Sequence, residues 1–264
     1  MSDERVLQIV GGGRMGEALL GGLLAAGRSA ESLAVVEVAA ARRAQLSEAH
    51  PGVRVVEAPV GAPDALLAVK PGDVPASAAA VAAAGAERAL SVAAGVTTRA
   101  IEEASGGRLR VVRAMPNTPA LIGAGAAAIA PGADATDEDM AWAEEVLGAV
   151  GVVVRVPEKQ LDAVTGLSGS GPAYVFLVAE ALAEAGVLNG LPRDVAETLA
   201  FQTLVGAARL VAEGDAGAAE LRAAVTSPGG TTAAGLQELE RHAVRAAFLD
   251  AVTAATRRSR DLGA

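Results

Sequence analysis

The fold of this chain follows from one stretch near its start, VLQIVGGGRMG at residues 6–16. The apolar run Val6–Val10 predicts a buried β-strand, and the pattern over Glu17–Ala26 predicts a helix. The glycines between them satisfy the pattern GxGxxG. The pattern alone is weak evidence, but with a strand before it and a helix after it the stretch is typical of a dinucleotide-binding unit.

Each of the three spaced glycines has a physical role in such a unit. Gly11 permits the tight turn, Gly13 lets the backbone approach a pyrophosphate, and Gly16 allows the helix to pack closely on the strand. The start of the helix presents unpaired N–H groups, which favour phosphates. Glu37 ends the next predicted strand 21 positions after Gly16, where a carboxylate accepts hydrogen bonds from an adenosine ribose.

The residues around Glu37 leave the choice between NADH and NADPH open. A carboxylate at this place repels a 2′-phosphate and so favours NADH. Arg42 and Arg43 follow within two helical turns and could instead neutralise that phosphate, or could belong to a solvated helix face. The predicted cofactor is therefore NADPH or NADH, with the preference unresolved.

The rest of the first half alternates short strand-like runs with helical stretches. This alternation predicts a parallel sheet covered by helices, a Rossmann-type doubly wound α/β fold. Further strands are predicted at 33–37, 53–56, 65–69, 89–92, 111–114, 125–130 and 152–155. Further helices are predicted at 40–49, 76–84, 98–104 and 137–150.

Beyond about Pro157 the pattern contains helices alone. Ala173–Ala185 is apolar on nearly every side, which predicts a buried helix that ends before Gly186. The apolar seams of this half exceed what a small helical bundle can hide, so we expect at least a homodimer. The predicted domains are a dinucleotide-binding domain at 1–157 and an all-helical dimerisation and substrate domain at 158–264. The other helices in this half are predicted at 192–213, 218–224 and 231–260.

Three predicted strand ends carry residues suited to a ligand, because ligands of a doubly wound sheet bind beyond the carboxyl ends of its strands. One of them, Ala93–Gly95, is small enough for a dinucleotide to pass close to the backbone. Lys70 could bond ribose or phosphate oxygens, and Pro71 fixes the turn after it. Asn117 offers a donor and an acceptor near a nicotinamide amide. The alternative for each is an ordinary turn built from Pro, Gly and Asn.

Two loops in the helical half are rich in small residues. SGSGP at 168–172 precedes the buried helix, and Ser170 is interpreted as its N-cap. TSPGGTT at 226–232 opens the last helix. Its small residues leave backbone N–H groups exposed at a positive helix end, which suits a substrate carboxylate, although the stretch could be only a cap.

The composition excludes several classes of function. The chain has 264 residues with no Cys and two His, which excludes thiol catalysis and thiolate metal sites and leaves little for a zinc site. Its net charge of −9 argues against nucleic acid or an anionic membrane as a main partner, because both reward clustered Lys and Arg. We therefore predict no metal site and a small-molecule substrate.

The hydropathy does not indicate a membrane protein. Mean hydropathy is +0.37, but apolar runs such as Ala78–Ala84 are short and are interrupted by Gly, Asp or Glu. A membrane span needs about 20 consecutive apolar residues, and the polar start MSDER is unlike a signal peptide. We therefore expect a cytoplasmic protein without membrane association.

Five segments together resemble the pyrroline-5-carboxylate reductase family over essentially the whole chain. The most specific is LRAAVTSPGGTTAAGLQELE at 221–240, which is similar to the signature segment of that family. The other four are GGGRMG at 11–16, AVKP at 68–71, VRAMPNTP at 112–119 and SGSGPAY at 168–174. The resemblance implies an NAD(P)H-dependent reduction of 1-pyrroline-5-carboxylate, a cyclic imine, to L-proline, the last step of proline biosynthesis.

The resemblance also implies how the sites are built. The helical domain would interlock with that of a second subunit, as a homodimer or higher homo-oligomer, and the signature loop would help form the substrate site there. Thr232 is the candidate catalytic residue, as a hydrogen-bond or proton donor to the ring nitrogen. The candidate substrate-binding residues are Ser227, Gly229, Gly230, Thr231 and Thr232. The candidate cofactor-binding residues, from the motifs and the resemblance together, are Val10, Gly11, Gly12, Gly13, Arg14, Met15, Gly16, Glu37, Ala68, Val69, Lys70, Pro71 and Asn117.

Two alternative functions are compatible with the same motifs. One is a β-hydroxyacid dehydrogenase or a broader imine reductase, which typically places a lysine or another acid–base residue in the first turns of the helical domain. Here Lys159 precedes the Ser168 loop instead of following it. The other is a non-catalytic dinucleotide-binding scaffold, which would bind the nucleotide without oxidising it when the imine is supplied.

Overall fold

The structure is a computed structural model in which residues 5–263 are described. The chain forms two compact units. The first comprises the chain up to Ser170 together with Thr253 onward, and the second comprises Gly171–Val252. A compact unit need not coincide with a domain, so the limits 1–157 and 158–264 stay a prediction.

The centre of the first unit is a sheet of eight strands. In chain order the strands are β1 Leu7–Val10, β2 Leu33–Val36, β3 Arg54–Val56, β4 Asp64–Leu67, β5 Arg88–Ser91, β6 Arg110–Met115, β7 Gly125–Pro131 and β8 Gly151–Arg155. Across the sheet their order is β3-β2-β1-β4-β5-β6-β7-β8. The chain starts in the interior of the sheet, builds one side and then crosses to the other, so the doubly wound plan is confirmed.

The sheet is parallel except at one strand pair. Strands β1 to β6 run parallel, whereas β7 pairs antiparallel with β6 and β8 pairs parallel with β7. The prediction of a parallel sheet is therefore wrong for the last two strands. The link from β6 to β7 holds only the 3-10 turn Thr118–Ile122. A parallel return needs a crossover of about a dozen residues or more, so this short link turns the chain back.

Helices cover both faces of the sheet. One core cluster joins Leu7 and Ile9 to helix side chains such as Leu20, and the other joins Val10 to side chains such as Ile101. This division follows from the alternation of side chains along β1. The helices are α1 Arg14–Ala25, α2 Ala40–Ala49, α3 Val74–Ala83, α4 Thr98–Ala104 and α5 Asp137–Gly148. All five were predicted, with ends that differ by three residues or fewer.

A buried ion-pair network ties α5 to the amino ends of the central strands. Arg88 donates two hydrogen bonds to Asp64, at 2.8 and 3.1 Å, and its guanidinium lies 4.4 Å from the ring centre of Trp142. Arg110 donates two more to Asp139, at 2.8 and 3.2 Å. Because an unpaired buried charge is very unfavourable, the network holds α5 in one position on the sheet.

The residues that lead out of the sheet are helical rather than a loop. The 3-10 turn Glu158–Gln160 continues into α6 Leu161–Val164 and the π-helical turn Thr165–Gly169. Ser170 has right-handed helical dihedrals, and its N–H donates to the carbonyl of Thr165 at 2.8 Å. An N-cap has extended dihedrals, so the interpretation of Ser170 as a cap is wrong.

The second unit is entirely helical. Its helices are α7 Gly171–Leu188, α8 Arg193–Glu213, α9 Ala218–Ala224, α10 Thr231–Arg241 and the first part of α11 Val244–Gly263. The prediction that Gly186 ends α7 is wrong. A Cβ atom at Gly186 would lie 2.9 Å from the Cβ of Ala196, so this glycine lets α8 pack closely on α7.

The predicted helix over 231–260 is in fact two helices. Ala243 adopts a left-handed conformation with a φ of +54°, which separates α10 from α11. Neither Gly nor Pro occurs at this break. The sequence therefore carried none of the usual signals for it.

The apolar side chains of α7 are largely exposed within the single chain. Only Ala183 of this helix is buried, while Phe176 and Leu177 are 62% and 66% exposed. The prediction of a buried helix is thus wrong for the chain taken alone. An apolar surface of this kind is typical of a protein–protein interface.

Two helical stretches are long and apolar enough to cross a membrane, judged by length and composition only. They are Glu158–Leu188 and Arg193–Glu213. The short apolar runs of the sequence did not predict helices of this kind. Two such helices are weak evidence of a membrane protein, because core helices of other proteins meet the same criteria.

Candidate active site

The glycine loop joins β1 to α1 at the carboxyl edge of the sheet. Gly11 has a φ of +105°, and a Cβ atom there would lie 2.7 Å from the carbonyl oxygen of Ala68, so the turn requires glycine. Gly16 is buried against the carbonyl of Gly11, with no room for a Cβ atom. A Cβ atom at Gly13, in contrast, would meet open space. Gly12 is buried, and a Cβ atom there would overlap the side chain of Leu46. Three of the four glycines of the loop are thus closely packed, whereas Gly13 leaves room for a ligand.

The start of α1 suits the pyrophosphate of a dinucleotide. The first N–H groups of a helix have no partner within it, and here they follow the exposed Gly13. Arg14 is exposed at the first position of the helix, whereas Met15 is half-buried and packs against the core. The residues present therefore fit a dinucleotide.

The carboxylate of Glu37 is fixed beside the glycine loop. It accepts a hydrogen bond from the N–H of Gly12 at 3.0 Å and a second from the N–H of Ala39 at 2.9 Å. The carboxyl end of β2 and the loop after β1 are thereby joined. The side chain lies where an adenosine ribose binds in doubly wound folds.

Arg42 is a clamp on the glycine loop that the sequence analysis missed. Its Nε donates to the carbonyl of Gly12 at 2.8 Å, and its Nη2 pairs with the carboxylate of Glu17 on α1. The hydrogen bond from Arg42 lowers the pKa of Glu17 below its ordinary value. The signal available was the position of Arg42, in the first turn of the helix after β2.

The segment Ala68–Pro71 follows β4 next to the glycine loop. The N–H of Ala68 donates to the carbonyl of Val10 at 2.8 Å, which holds the two strand ends together. Lys70 is exposed, and Pro71 opens the 3-10 turn Pro71–Asp73. This segment brings a cationic side chain to the same edge as Glu37.

A cavity of about 670 Å³ lies between the ends of β1, β2 and β4 and the start of α3. The predicted residues Gly11, Gly13, Glu37 and Lys70 line it. Several other lining residues were missed by the sequence analysis. These are Val36, Val38, Glu57, Pro59, Asp73, Ala76, Ser77 and Ala80, and Val10, Ala68 and Val69 complete the lining.

Asn117 has an internal structural role. Its Nδ2 donates to the carbonyl of Ser168 at 3.1 Å, and its Oδ1 accepts from the N–H of Ala126 at 2.8 Å. The side chain therefore fixes the turn after β6, as in the alternative considered for this residue. Contact with a nicotinamide stays a prediction.

The signature bend lies in the second unit and opens α10. Gly229 has a φ of +70°, and the N–H of Gly230 donates to the carbonyl of Ser227 at 3.0 Å. Gly230 is the N-cap of α10, so the N–H groups of Thr231 and Thr232 belong to its unpaired first turn. The bend can thus offer backbone donors and two hydroxyls to an anionic ligand.

The predicted residues fall into two groups in the structure. The cofactor candidates, including Asn117 after β6, lie at or next to the carboxyl ends of the parallel strands, and the substrate candidates form one continuous bend in the helical unit. Among residues 5–263, no group of three or more His, Asp or Glu side chains is placed to hold a metal ion.

Two family models match separate parts of the chain. Residues 158–262 match a model described as pyrroline-5-carboxylate reductase dimerisation. Residues 6–95 match one described as NADP oxidoreductase coenzyme F420-dependent. The two matches correspond to the helical half and to the part that contains the glycine loop.

Similar proteins cover nearly the whole chain. A pyrroline-5-carboxylate reductase of Synechocystis sp. is 47% identical over 97% of this chain and 98% of its own length. The structure of such a reductase from Coxiella burnetii has a TM-score of 0.94 at 36% identity, covering 99% of this chain and 100% of the other. A Plasmodium falciparum pyrroline carboxylate reductase with NADP bound has a TM-score of 0.85 at 28% identity, covering 99% of each chain. With nearly half of its residues shared along almost its full length, the chain belongs to the pyrroline-5-carboxylate reductase family.

Proposed function

We propose that this chain reduces 1-pyrroline-5-carboxylate to L-proline with NAD(P)H, and that the bend Ser227–Thr232 holds the substrate. Membership of the family along almost the full length is the observation that carries the proposal. A cytoplasmic location suits a chain of this kind, which has no Cys and a net charge of −9.

The glycine loop and the strand ends around it are assigned to the cofactor. The N–H groups at the start of α1 would hold the pyrophosphate, next to the open space at Gly13. Glu37 would accept hydrogen bonds from the adenosine ribose, and Lys70 would pair with phosphate or ribose oxygens. Reduced nicotinamide, when bound, supplies the hydride.

The bend at the start of α10 is assigned to the substrate. The substrate carboxylate would accept hydrogen bonds from the N–H groups of Thr231 and Thr232, at the positive end of an 11-residue helix. Thr232 is half-buried, and its hydroxyl would donate a hydrogen bond to the ring nitrogen of the neutral imine or accept one from the N–H of the protonated imine.

The reaction needs little acid–base chemistry from the protein. The imine carbon accepts the hydride pair and the ring nitrogen keeps one proton, so the C=N bond becomes a C–N bond. An imine that arrives protonated is already electrophilic, which makes positioning the main task of the site. This chemistry agrees with a chain that has no Cys and two His.

The chain forms homo-oligomers. We propose that α7 and α8 of each subunit form a dimer contact, because a contact there would bury apolar side chains that are exposed in the single chain. The match of residues 158–262 to a dimerisation model supports this assignment.

The test is coenzyme oxidation with racemic 1-pyrroline-5-carboxylate, followed by loss of reduced-nicotinamide absorbance and by detection of proline. We expect imine-dependent oxidation, whereas a non-catalytic scaffold would bind the nucleotide without oxidising it. Thr232→Ala should lower kcat about 100-fold and Thr232→Ser should restore most of it.

Thr226→Ala is the matched control, because its hydroxyl already donates to the carbonyl of Arg222 at 2.6 Å. It should change kcat by about twofold or less. Wild-type turnover by Thr232→Ala at saturating substrate would remove Thr232 from the mechanism.

A further inference from the structure

The cavity beside the glycine loop has an acidic outer end. Its charged lining consists of Glu37, Glu57, Asp73 and Lys70. Glu57 is 73% exposed and lies beyond the end of β3, on the same side of the glycine loop as Glu37. An adenosine that enters here would meet two carboxylates near its ribose.

Glu37 is held in place by the backbone. The N–H groups of Gly12 and Ala39 each donate to a different oxygen of its carboxylate, at 3.0 and 2.9 Å. A carboxylate oxygen accepts more than one hydrogen bond, so each still has capacity for a ribose hydroxyl. A fixed anion with free acceptor capacity binds a 2′-hydroxyl and repels a 2′-phosphate.

Arg43 could in principle offset that repulsion, but its guanidinium is already engaged. Nη1 donates to the carbonyls of Glu37 and Val38, at 2.9 and 2.7 Å. Nη2 donates to the carboxylate of Glu57 at 3.1 Å. The side chain is 22% exposed, so a 2′-phosphate would have to compete with Glu57 for it.

Arg42 is engaged as well. It binds the carbonyl of Gly12, the carboxylate of Glu17 and the side-chain oxygen of Gln45. These contacts join α2 to the glycine loop and to α1. Releasing Arg42 towards a 2′-phosphate would therefore loosen the loop that holds the pyrophosphate.

Lys70 enters the same cavity two strands away from Glu37. It follows β4, and β1 separates β4 from β2, where Glu37 lies. Neighbouring strands are about 4.8 Å apart, so the two strand ends are roughly 10 Å apart. Lys70 is therefore suited to the diphosphate or its adjoining ribose, which NADH and NADPH share.

We infer that this chain selects NADH over NADPH, and that Glu37 is the residue that decides between them. The inference rests on the proposed function, because it takes NAD(P)H as the cofactor. It differs from what two similar proteins suggest, because one matching family model is described as an NADP oxidoreductase and one similar structure was solved with NADP bound.

The experiment is calorimetric titration of the full-length protein with NADH, NADPH and two adenosine fragments, 5′-ADP and adenosine 2′,5′-bisphosphate. We expect the wild type to bind NADH at least about tenfold more tightly than NADPH. Glu37→Gln should reduce this ratio at least about fivefold, because it removes the charge while one side-chain oxygen remains to accept from a backbone N–H group. Glu37→Asp, which keeps the charge, should retain a preference for NADH.

Lys70→Gln is the control for a phosphate contact that both coenzymes share. It should weaken the binding of NADH and NADPH equally, so that their ratio stays within about twofold. Fluorescence of Trp142, the only tryptophan, which is buried in the first unit, verifies that each variant is folded.

A wild-type ratio below tenfold, or an unchanged ratio in Glu37→Gln, overturns the inference. Because the titrations contain no imine, they report coenzyme choice even if the chain proves unable to reduce 1-pyrroline-5-carboxylate. Imine-dependent oxidation that runs equally well with both coenzymes would leave the proposed function intact and contradict the role of Glu37.

Discussion

The two units of this chain bury their apolar residues to very different extents. The first packs fully buried leucines such as Leu7, Leu66 and Leu90 around its sheet. In the described part of the second, the buried apolar residues are Ala183, Ala196 and Ala200, and larger side chains such as Phe176 are exposed. A sheet closes its own core within one chain, whereas the few helices of the second unit leave one apolar face for another molecule.

The largest expected effect comes from placing a charge on the exposed apolar face. Leu177→Glu should dissociate the homo-oligomer, because burying an unpaired carboxylate in an interface is strongly unfavourable. Analytical ultracentrifugation measures the assembly. Trp142 fluorescence should stay unchanged, since the first unit has its own core.

Val152→Glu is the matched control for that charge. Val152 is 69% exposed on the edge strand β8 of the first unit, so the variant should keep the wild-type assembly. If both variants dissociated the oligomer equally, the apolar surface of the second unit would not differ from that of the first as proposed.

The next largest effect concerns the ion-pair network between α5 and the amino ends of the central strands. Asp139→Asn should lower the free energy of unfolding by about 3 kcal/mol, because it leaves Arg110 without a buried charged partner. Urea unfolding followed by Trp142 fluorescence measures it. A loss below about 1 kcal/mol would show that solvent already compensates these charges.

The same carboxylate predicts how stability depends on pH. Burial alone would raise the pKa of Asp139, but hydrogen bonds from Arg110 and Thr136 lower it below its ordinary value. The unfolded chain therefore binds the proton more readily, so stability falls as the pH drops below about 4. In Asp139→Asn this part of the loss of stability at low pH should be absent. Unfolding curves recorded between about pH 3 and pH 6 would measure it.

A smaller effect separates two glycines of the same loop. Gly16→Ala should lower the free energy of unfolding by about 2 kcal/mol, because a Cβ atom there meets the carbonyl of Gly11. Gly13→Ala should cost less than about 1 kcal/mol, since its Cβ atom meets open space, yet should weaken coenzyme binding about tenfold. Comparable destabilisation by both would contradict the division between packing glycines and a ligand-facing glycine.

The smallest effect is expected on the surface of the second unit. Arg209 and Glu213 form an exposed pair one turn apart on α8, at 2.8 Å. Arg209→Gln should leave the thermal midpoint and the assembly unchanged, because exposed ion pairs contribute little. A clear loss of the oligomer would place this polar surface in the interface as well.

Local signals in the sequence predicted most elements of the first unit. Helix α2 and helix α4 were predicted with the ends that the structure has. The direction of β7 was not predicted, because it depends on the length of the link between β6 and β7 and not on the residue pattern of the strand. The break at Ala243 was missed for a different reason, since no Gly or Pro marks it.

The sequence predicted where the candidate site lies, but not which side chains and backbone groups bind each other within it. The spacing of the glycines and the acid after β2 placed the loop and Glu37 at one edge. The partners of Asn117 and Arg42 lie 51 and 30 residues away in the sequence. Such distant contacts leave no local pattern, so the structural role of Asn117 and the clamp made by Arg42 came only from the fold.

The sequence by itself determined the strand–glycine–helix start of this protein, because the positive φ of Gly11 and the contact of Gly16 with the carbonyl of Gly11 are local requirements for glycine. It also determined the signature bend, through a specific run of small residues. Only the tertiary structure decided which charges are free to meet a ligand. Hydrogen-bond partners such as Glu57 for Arg43 and Gly12 for Glu37 are brought together by packing, and short-range propensity carries no information about them.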